Sequence, residues 1–209
     1  MKHLPNALTV LRLALSLLMF FALAVIGVGL SGGGEISPDA GVILARFAFG
    51  AFVVAAVTDF LDGWLARRWG VTSLTGAILD PIADKILVCG AILGLLAVRT
   101  PGVLISGGLI LFREFAVSAL REVLAPRGIK LPVTFLAKTK TTLQLVALGA
   151  LMFLSFWPAW RIDARIDHLW KALQAAELLF ALAAAVTLWT GIDYARSAWK
   201  ALKAAQDPS

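Results

Sequence analysis

Between positions 58 and 85 the chain reads Thr58-Asp59-Phe60-Leu61-Asp62-Gly63-Trp64-Leu65-Ala66-Arg67 and then Gly76-Ala77-Ile78-Leu79-Asp80-Pro81-Ile82-Ala83-Asp84-Lys85, so four of its 13 acidic residues fall within 26 positions. On a helix, Asp59, Asp62, Gly63 and Ala66 are related as i, i+3, i+4 and i+7 and share one face. Gly76, Asp80, Ala83 and Asp84, at i, i+4, i+7 and i+8, share a face of the next helix. Each face sets two carboxylates beside minimal side chains, and the short linker makes the two helices antiparallel neighbours around an acid-lined cleft. Pro81 either starts the second helix at its first turn or kinks one that began near Ser73, and the shared face assumes the second case.

Crowded carboxylates must be protonated, paired with cations or bound to metal. A donor set of carboxylates without His or Cys favours a hard ion, Mg²⁺ or Mn²⁺, over zinc. Two such ions roughly 3.5 to 4 Å apart would hold a phosphate group for in-line displacement. Arg67, two turns beyond Asp59, adds a planar cation suited to phosphate. Two other readings stand beside this one. The acids could pair with Arg67, Arg68 and Lys85 as interfacial salt bridges, or belong to an ion or proton pathway. Against the pathway, no ladder of ionisable groups continues to the far side, where Arg46 and Glu177 are isolated and free to snorkel. A catalytically silent scaffold is disfavoured by four intact acids.

The elements that position these residues are membrane helices. Hydrophobic residues make up 60% of the 209 and charged residues 15%, against roughly 45 to 50% and about 25% in soluble domains. Six apolar stretches each approach or exceed spanning length: Ala7 to Leu30, Gly41 to Leu65, Leu74 to Val98, Val103 to Leu124, Thr139 to Trp157 and Leu169 to Tyr194. The expectation is a single all-α integral membrane domain over residues 1–209, with six transmembrane helices. The first stretch is too long for a signal peptide and is interrupted by Arg12; it is read as a retained helix with Asn6 as N-cap. Lys2, Arg12, Arg67, Arg68, Arg121, Arg127, Lys130, Lys138, Lys140, Arg196, Lys200 and Lys203 would gather on one side and Arg99, Arg161, Arg165 and Lys171 on the other. This places both termini, and the acids, on the cytoplasmic face.

The remaining residues add little chemistry. The net charge of +6 suits anionic headgroups or phosphorylated ligands, and no nucleic-acid partner is expected. A lone cysteine, Cys89, excludes an intrachain disulfide, and His3 and His168 have no partner at ligand spacing. Tryptophans such as Trp157, Trp160 and Trp170 are read as interfacial belt residues, the stretch from Trp160 to Lys171 as a solvated loop, and the tail after Lys203 as frayed.

The pattern Asp59-x2-Asp62-Gly63-x2-Ala66-Arg67-x8-Gly76-x3-Asp80-x3-Asp84 resembles the signature of the CDP-alcohol phosphatidyltransferase family at all eight positions. Eight fixed residues coincide by chance about once in 10¹⁰ starts. The resemblance implies a six-helix membrane enzyme, a homodimer, which uses two divalent cations to move a phosphatidyl group from a CDP-linked lipid to an alcohol with release of CMP. It implies Asp59, Asp62, Asp80 and Asp84 as metal ligands, with Asp84 also the general base. It implies Asp59, Asp62, Gly63, Ala66, Arg67 and Gly76 as contacts to the CDP part of CDP-diacylglycerol.

The acceptor must be read elsewhere. Arg113 and Arg121, two turns apart, and Lys138 and Lys140 at the head of the fifth stretch suit a phosphate-bearing alcohol. They equally suit a positive cytoplasmic boundary, and Arg113 a structural pair with a glutamate. Leu79 to Lys85, Arg113-Glu114-Phe115 through Arg121-Glu122, Ala137 to Gln144 and the amino-terminal Pro5-Asn6-Ala7-Leu8-Thr9-Val10-Leu11-Arg12 resemble family members that use sn-glycerol 3-phosphate. The implied product is phosphatidylglycerophosphate, made at a bacterial cytoplasmic membrane with the site facing the cytosol. Phosphatidylglycerol, serine and inositol phosphate are the alternative acceptors.

Overall fold

A computed structural model describes residues 4–69, 74–129 and 135–206, with side chains described at all of these except 4, 5, 60, 62–69, 74–78, 135–138 and 204–206. Six α-helices follow in order: α1 (Leu4–Leu30), α2 (Pro38–Trp69), α3 (Leu74–Ala97), α4 (Val103–Leu124), α5 (Phe135–Ser155) and α6 (Ile166–Gln206). Short 3₁₀ turns cover Ala125–Arg127 and Trp157–Trp160, and no strand occurs among the described residues. The six helices coincide closely with the six apolar stretches. Four of them contain segments long and apolar enough to cross a membrane: Asn6–Leu30, Pro38–Asp59, Val103–Arg127 and Ile166–Lys203. The described part of α3 carries Asp80, Asp84 and Lys85, and the apolar run Thr139–Ser155 of α5 is shorter.

Local chemistry sets the helix limits. Ser37 caps α2, its Oγ accepting from the Ala40 N–H at 3.3 Å, with Pro38 and Asp39 in the first turn where a missing N–H and a negative charge are tolerated or favoured. Helix α1 is already formed at Leu4, the first described residue, so Asn6 lies within the helix and not at its cap. Pro81 lies inside α3, which resolves the two sequence readings in favour of a helix that began before it. Helix α6 begins at Ile166 and runs to Gln206, longer at both ends than expected. The loop after Trp160 is correspondingly shorter, and Trp160 is packed within the protein: its Nε1 donates to the Phe153 carbonyl at 2.8 Å, and its ring stacks on Phe153 with 5.0 Å between centroids. Arg46 is not isolated either. Its Nε and Nη2 donate to the Ala159 carbonyl at 2.9 and 2.6 Å, satisfying an acceptor at the end of a 3₁₀ turn.

The chain divides into two compact units. One comprises residues 1–101 and 148–176, the other residues 102–147 and 177–209. In the first, α1 lies antiparallel to α2 and parallel to α3. Arg12 meets Asp59 at one end of the α1–α2 pair, and Ile26 packs with Ala45 toward the other. Along the α1–α3 pair the contacts advance together: Thr9 with Asp80, Leu23 with Gly94, and Gly27 with Ala97. Two glycines set this approach. A Cβ on Gly27 would stand 2.6 Å from the Ala97 carbonyl oxygen, and one on Gly94 would stand 2.4 Å from Leu23 Cδ1. Close backbone packing through small residues is how helices associate where lipid removes the hydrophobic incentive. Met19, Leu23, Leu87, Ala91, Ile92 and Leu95 are buried in this unit.

The fit at Gly27 gives a test. Gly27→Ala should cost about 1–3 kcal/mol through overpacking against backbone, seen as a lower Tm in detergent. Gly50→Ala, where an added Cβ meets nothing within 4 Å, should leave Tm unchanged or raise it. Equal effects would show that the α1–α3 approach does not depend on the glycine.

Candidate active site

Three helices of the first unit bring the acids together. Asp59 comes from the last turns of α2, and Asp80 and Asp84, one turn apart, from the first half of α3. Between them stands Arg12 of α1. One Nη1 donates to both Asp59 and Asp84, the latter at 2.5 Å, and Nη2 lies 3.5 Å from Asp80 Oδ1. Thr9, one turn before Arg12, donates from Oγ1 to Asp80 Oδ1 at 2.7 Å. Ser16, one turn after it, turns its hydroxyl back onto the Arg12 carbonyl at 2.7 Å. Thr9, Arg12 and Ser16 thus form a buried polar stripe on an otherwise apolar helix.

Burial gives the group a direction. The Arg12 side chain is 0% exposed, whereas those of Asp59, Asp80 and Asp84 are 33%, 47% and 43% exposed. The cation is the covered part of the group, and the carboxylates remain accessible. Three carboxylates against one guanidinium leave a formal excess of two negative charges. That excess, carried by oxygen donors only, suits a hard divalent cation. Among the described residues no three acids converge closely enough to hold an ion unaided; the guanidinium stands among them. The other signature residues, Asp62, Gly63, Ala66 and Arg67 on α2 and Gly76 on α3, have side chains outside the described residues, as does Lys138.

The basic residues expected to bind an acceptor lie in the second unit. Arg113 and Lys140 are both buried, and they share Glu114. Arg113 donates from Nη1 to Glu114 Oε1 at 3.1 Å, from Nε to the Thr187 carbonyl at 3.1 Å and from Nη2 to Thr190 Oγ1 at 3.3 Å. The Lys140 ammonium pairs with the same Glu114 oxygen. Gln144 donates to Thr187 Oγ1 at 2.6 Å, and Gly191 leaves the room that Arg113 fills, since a Cβ there would stand 2.6 Å from Arg113 Cγ. Two cations on one carboxylate leave a formal positive charge. The exposed Arg121 holds its guanidinium over the Tyr194 ring, 5.5 Å from the centroid, a cation–π contact.

Sequence reasoning found the acids and missed their partners. Arg12 was legible as a charge interrupting an apolar stretch, as a cytoplasmic-side basic residue and as the end of the amino-terminal motif, but not as the partner of the acids. The i, i+3, i+7 spacing of Thr9, Arg12 and Ser16 was the available sign that the interruption was a functional face. Glu114 was visible beside Arg113, but Thr187 and Thr190 carried no signal, because hydroxyls in membrane helices ordinarily bond back to their own helix.

A family model described as CDP-alcohol phosphatidyltransferase matches residues 2–191. The chain is 35% identical to the CDP-diacylglycerol–glycerol-3-phosphate 3-phosphatidyltransferase of Rickettsia bellii, over 95% of this chain and 97% of the relative. It is 39% identical to the protein of that name from Cereibacter sphaeroides, over 75% and 83%. The identity is again 39% to the one from Escherichia coli K12, over 70% and 75%. With nearly its whole length matched, the chain belongs to the CDP-alcohol phosphatidyltransferase family.

Proposed function

We propose that this protein transfers the phosphatidyl group of CDP-diacylglycerol to sn-glycerol 3-phosphate, giving phosphatidylglycerophosphate and CMP. The observation that carries the reading is the convergence of Asp59, Asp80 and Asp84, from the two helices that bear the family signature, on a single half-exposed group. The relatives' printed name supplies the donor and the acceptor, and members of the family generally use divalent metal ions. Two such ions, Mg²⁺ or Mn²⁺, held by Asp59, Asp62, Asp80 and Asp84, would neutralise phosphate oxygens and the charge left on CMP.

The chain's own residues then divide the work. Gly63, Ala66 and Gly76 leave space for the cytidine diphosphate part, and Arg67 offers its phosphates a planar cation. Asp84 takes the proton of the acceptor hydroxyl. The acceptor oxygen forms its bond to the phosphorus that bears diacylglycerol, the bond from that phosphorus to the bridging oxygen breaks, and CMP leaves. Arg113, Arg121, Lys138 and Lys140 receive the acceptor phosphate; the formal positive charge of the Arg113–Glu114–Lys140 group supports an anionic partner there.

In the same reading the whole chain is one catalytic domain of six spans, working as a homodimer in the bacterial cytoplasmic membrane. Both termini and the site face the cytosol. The support is the one-sided distribution of Lys and Arg and the coincidence of six helices with six apolar stretches. It also fits the reaction, which joins a lipid to a soluble alcohol.

Three measurements test this. Purified protein with Mg²⁺ and CDP-diacylglycerol should release CMP fastest with sn-glycerol 3-phosphate when compared with inositol phosphate, serine and phosphatidylglycerol. Preference for another alcohol would keep the reaction and displace the acceptor, and no CMP with any of them would remove the reaction itself. Asp84→Asn should lower kcat by about 10²–10⁴-fold, the usual range for a general base, with binding of the CDP lipid retained; turnover near that of the wild type would refute the base assignment. Arg121→Ala, at an exposed position, should raise KM for glycerol 3-phosphate more than KM for the CDP lipid. A parallel rise in both would place Arg121 outside the acceptor's binding site.

A further inference from the structure

Arg12 lies outside the eight signature positions, on a helix that contributes none of the acids, yet it is the largest fully buried side chain among the described residues. We infer that Arg12 is a positioning residue of the acid site: its guanidinium sets the spacing of Asp59, Asp80 and Asp84 and, by like-charge repulsion, weakens the binding of a divalent cation to them. The inference rests on the reading of these acids as divalent-cation ligands. It does not depend on which alcohol is the acceptor.

Three observations carry it. First, Arg12 reaches acids of both α2 and α3, so a single planar fork ties together two helices whose charges repel. Second, Arg12 is itself fixed at both sides along α1. Thr9 shares its hold on Asp80 Oδ1, and Ser16 bonds to the Arg12 carbonyl. Third, the carboxylates are a third to a half exposed while the guanidinium is covered. An ion reaching the accessible carboxylates would therefore sit a few ångströms from a buried positive charge. At such a separation, with partial screening, a unit charge repels a divalent ion enough to raise its half-saturating concentration about tenfold, and the repulsion is relieved when the guanidinium is removed. A residue that only filled space would have no such effect, because damage to packing loosens ion binding and does not tighten it.

The test measures ion binding directly, apart from turnover. Wild type, Arg12→Gln and Arg12→Lys are purified in detergent with Mg²⁺, stripped with chelator, and titrated with Mn²⁺ while free Mn²⁺ is followed by electron paramagnetic resonance and Tm is recorded in parallel. Arg12→Gln should bind Mn²⁺ with a half-saturating concentration about tenfold lower than wild type. Its metal-free Tm should fall, and saturating ion should recover most of the loss. Arg12→Lys, which keeps the charge but not the fork, should bind Mn²⁺ within about twofold of wild type while its metal-free Tm falls. Unchanged or weaker binding by Arg12→Gln overturns the inference, as does failure to recover that variant folded at saturating Mg²⁺. Absence of Mn²⁺ binding by the wild type removes the metal reading and this inference together, whereas the CMP assay reports on the reaction independently.

Discussion

Mutual repulsion among Asp59, Asp80 and Asp84 is the constraint around which the first unit is arranged. Carboxylates at the boundary of an apolar bundle have lost part of their hydration and lie within reach of one another's fields, so their helices would part unless a positive charge stood among them. Arg12 supplies that charge from a third helix. For it to do so, α1 must be held in a definite register beside α3. The glycines at positions 27 and 94 provide this, because their lack of side chains lets the two backbones meet along the length that follows Arg12. Packing at one end of the helix pair and electrostatics at the other are therefore one arrangement, and neither can shift by a turn without the other.

The second unit shows the opposite balance. There two buried cations share one carboxylate, and hydroxyl and carbonyl oxygens of α6 take up donors that Glu114 cannot. Buried charges persist only when paired and hydrogen-bonded, which explains why Thr187, Thr190 and Gln144 are themselves buried polar residues. The two groups carry formal excesses of opposite sign, negative in one and positive in the other.

The sequence made the large elements and the acids plain because both are written in local spacing. Apolar runs of spanning length announce helices, and carboxylates at i, i+3 and i, i+4 announce a face. Arg12 was harder to read because its meaning lies 47 and 72 positions away, at Asp59 and Asp84. Arg46 was read as isolated for the same reason: only tertiary structure reveals the carbonyl of Ala159, 113 positions away, as its partner. The length of α6 was underestimated because its polar last turns carry no apolar signal, although Ala, Lys and Gln are strong helix formers.

The buried arginine also bears on how the chain is built. Placing an arginine within an isolated membrane helix costs up to ~2.5–3.5 kcal/mol on insertion scales, less toward the helix end. Arg12 lies on α1, and the acids that compensate it belong to α2 and α3, which follow it in the chain. Helix α1 therefore remains a poorly satisfied membrane segment until α2 and α3 pack against it, and assembly of these three helices is coupled: the charge that makes α1 costly alone is the one that binds its neighbours.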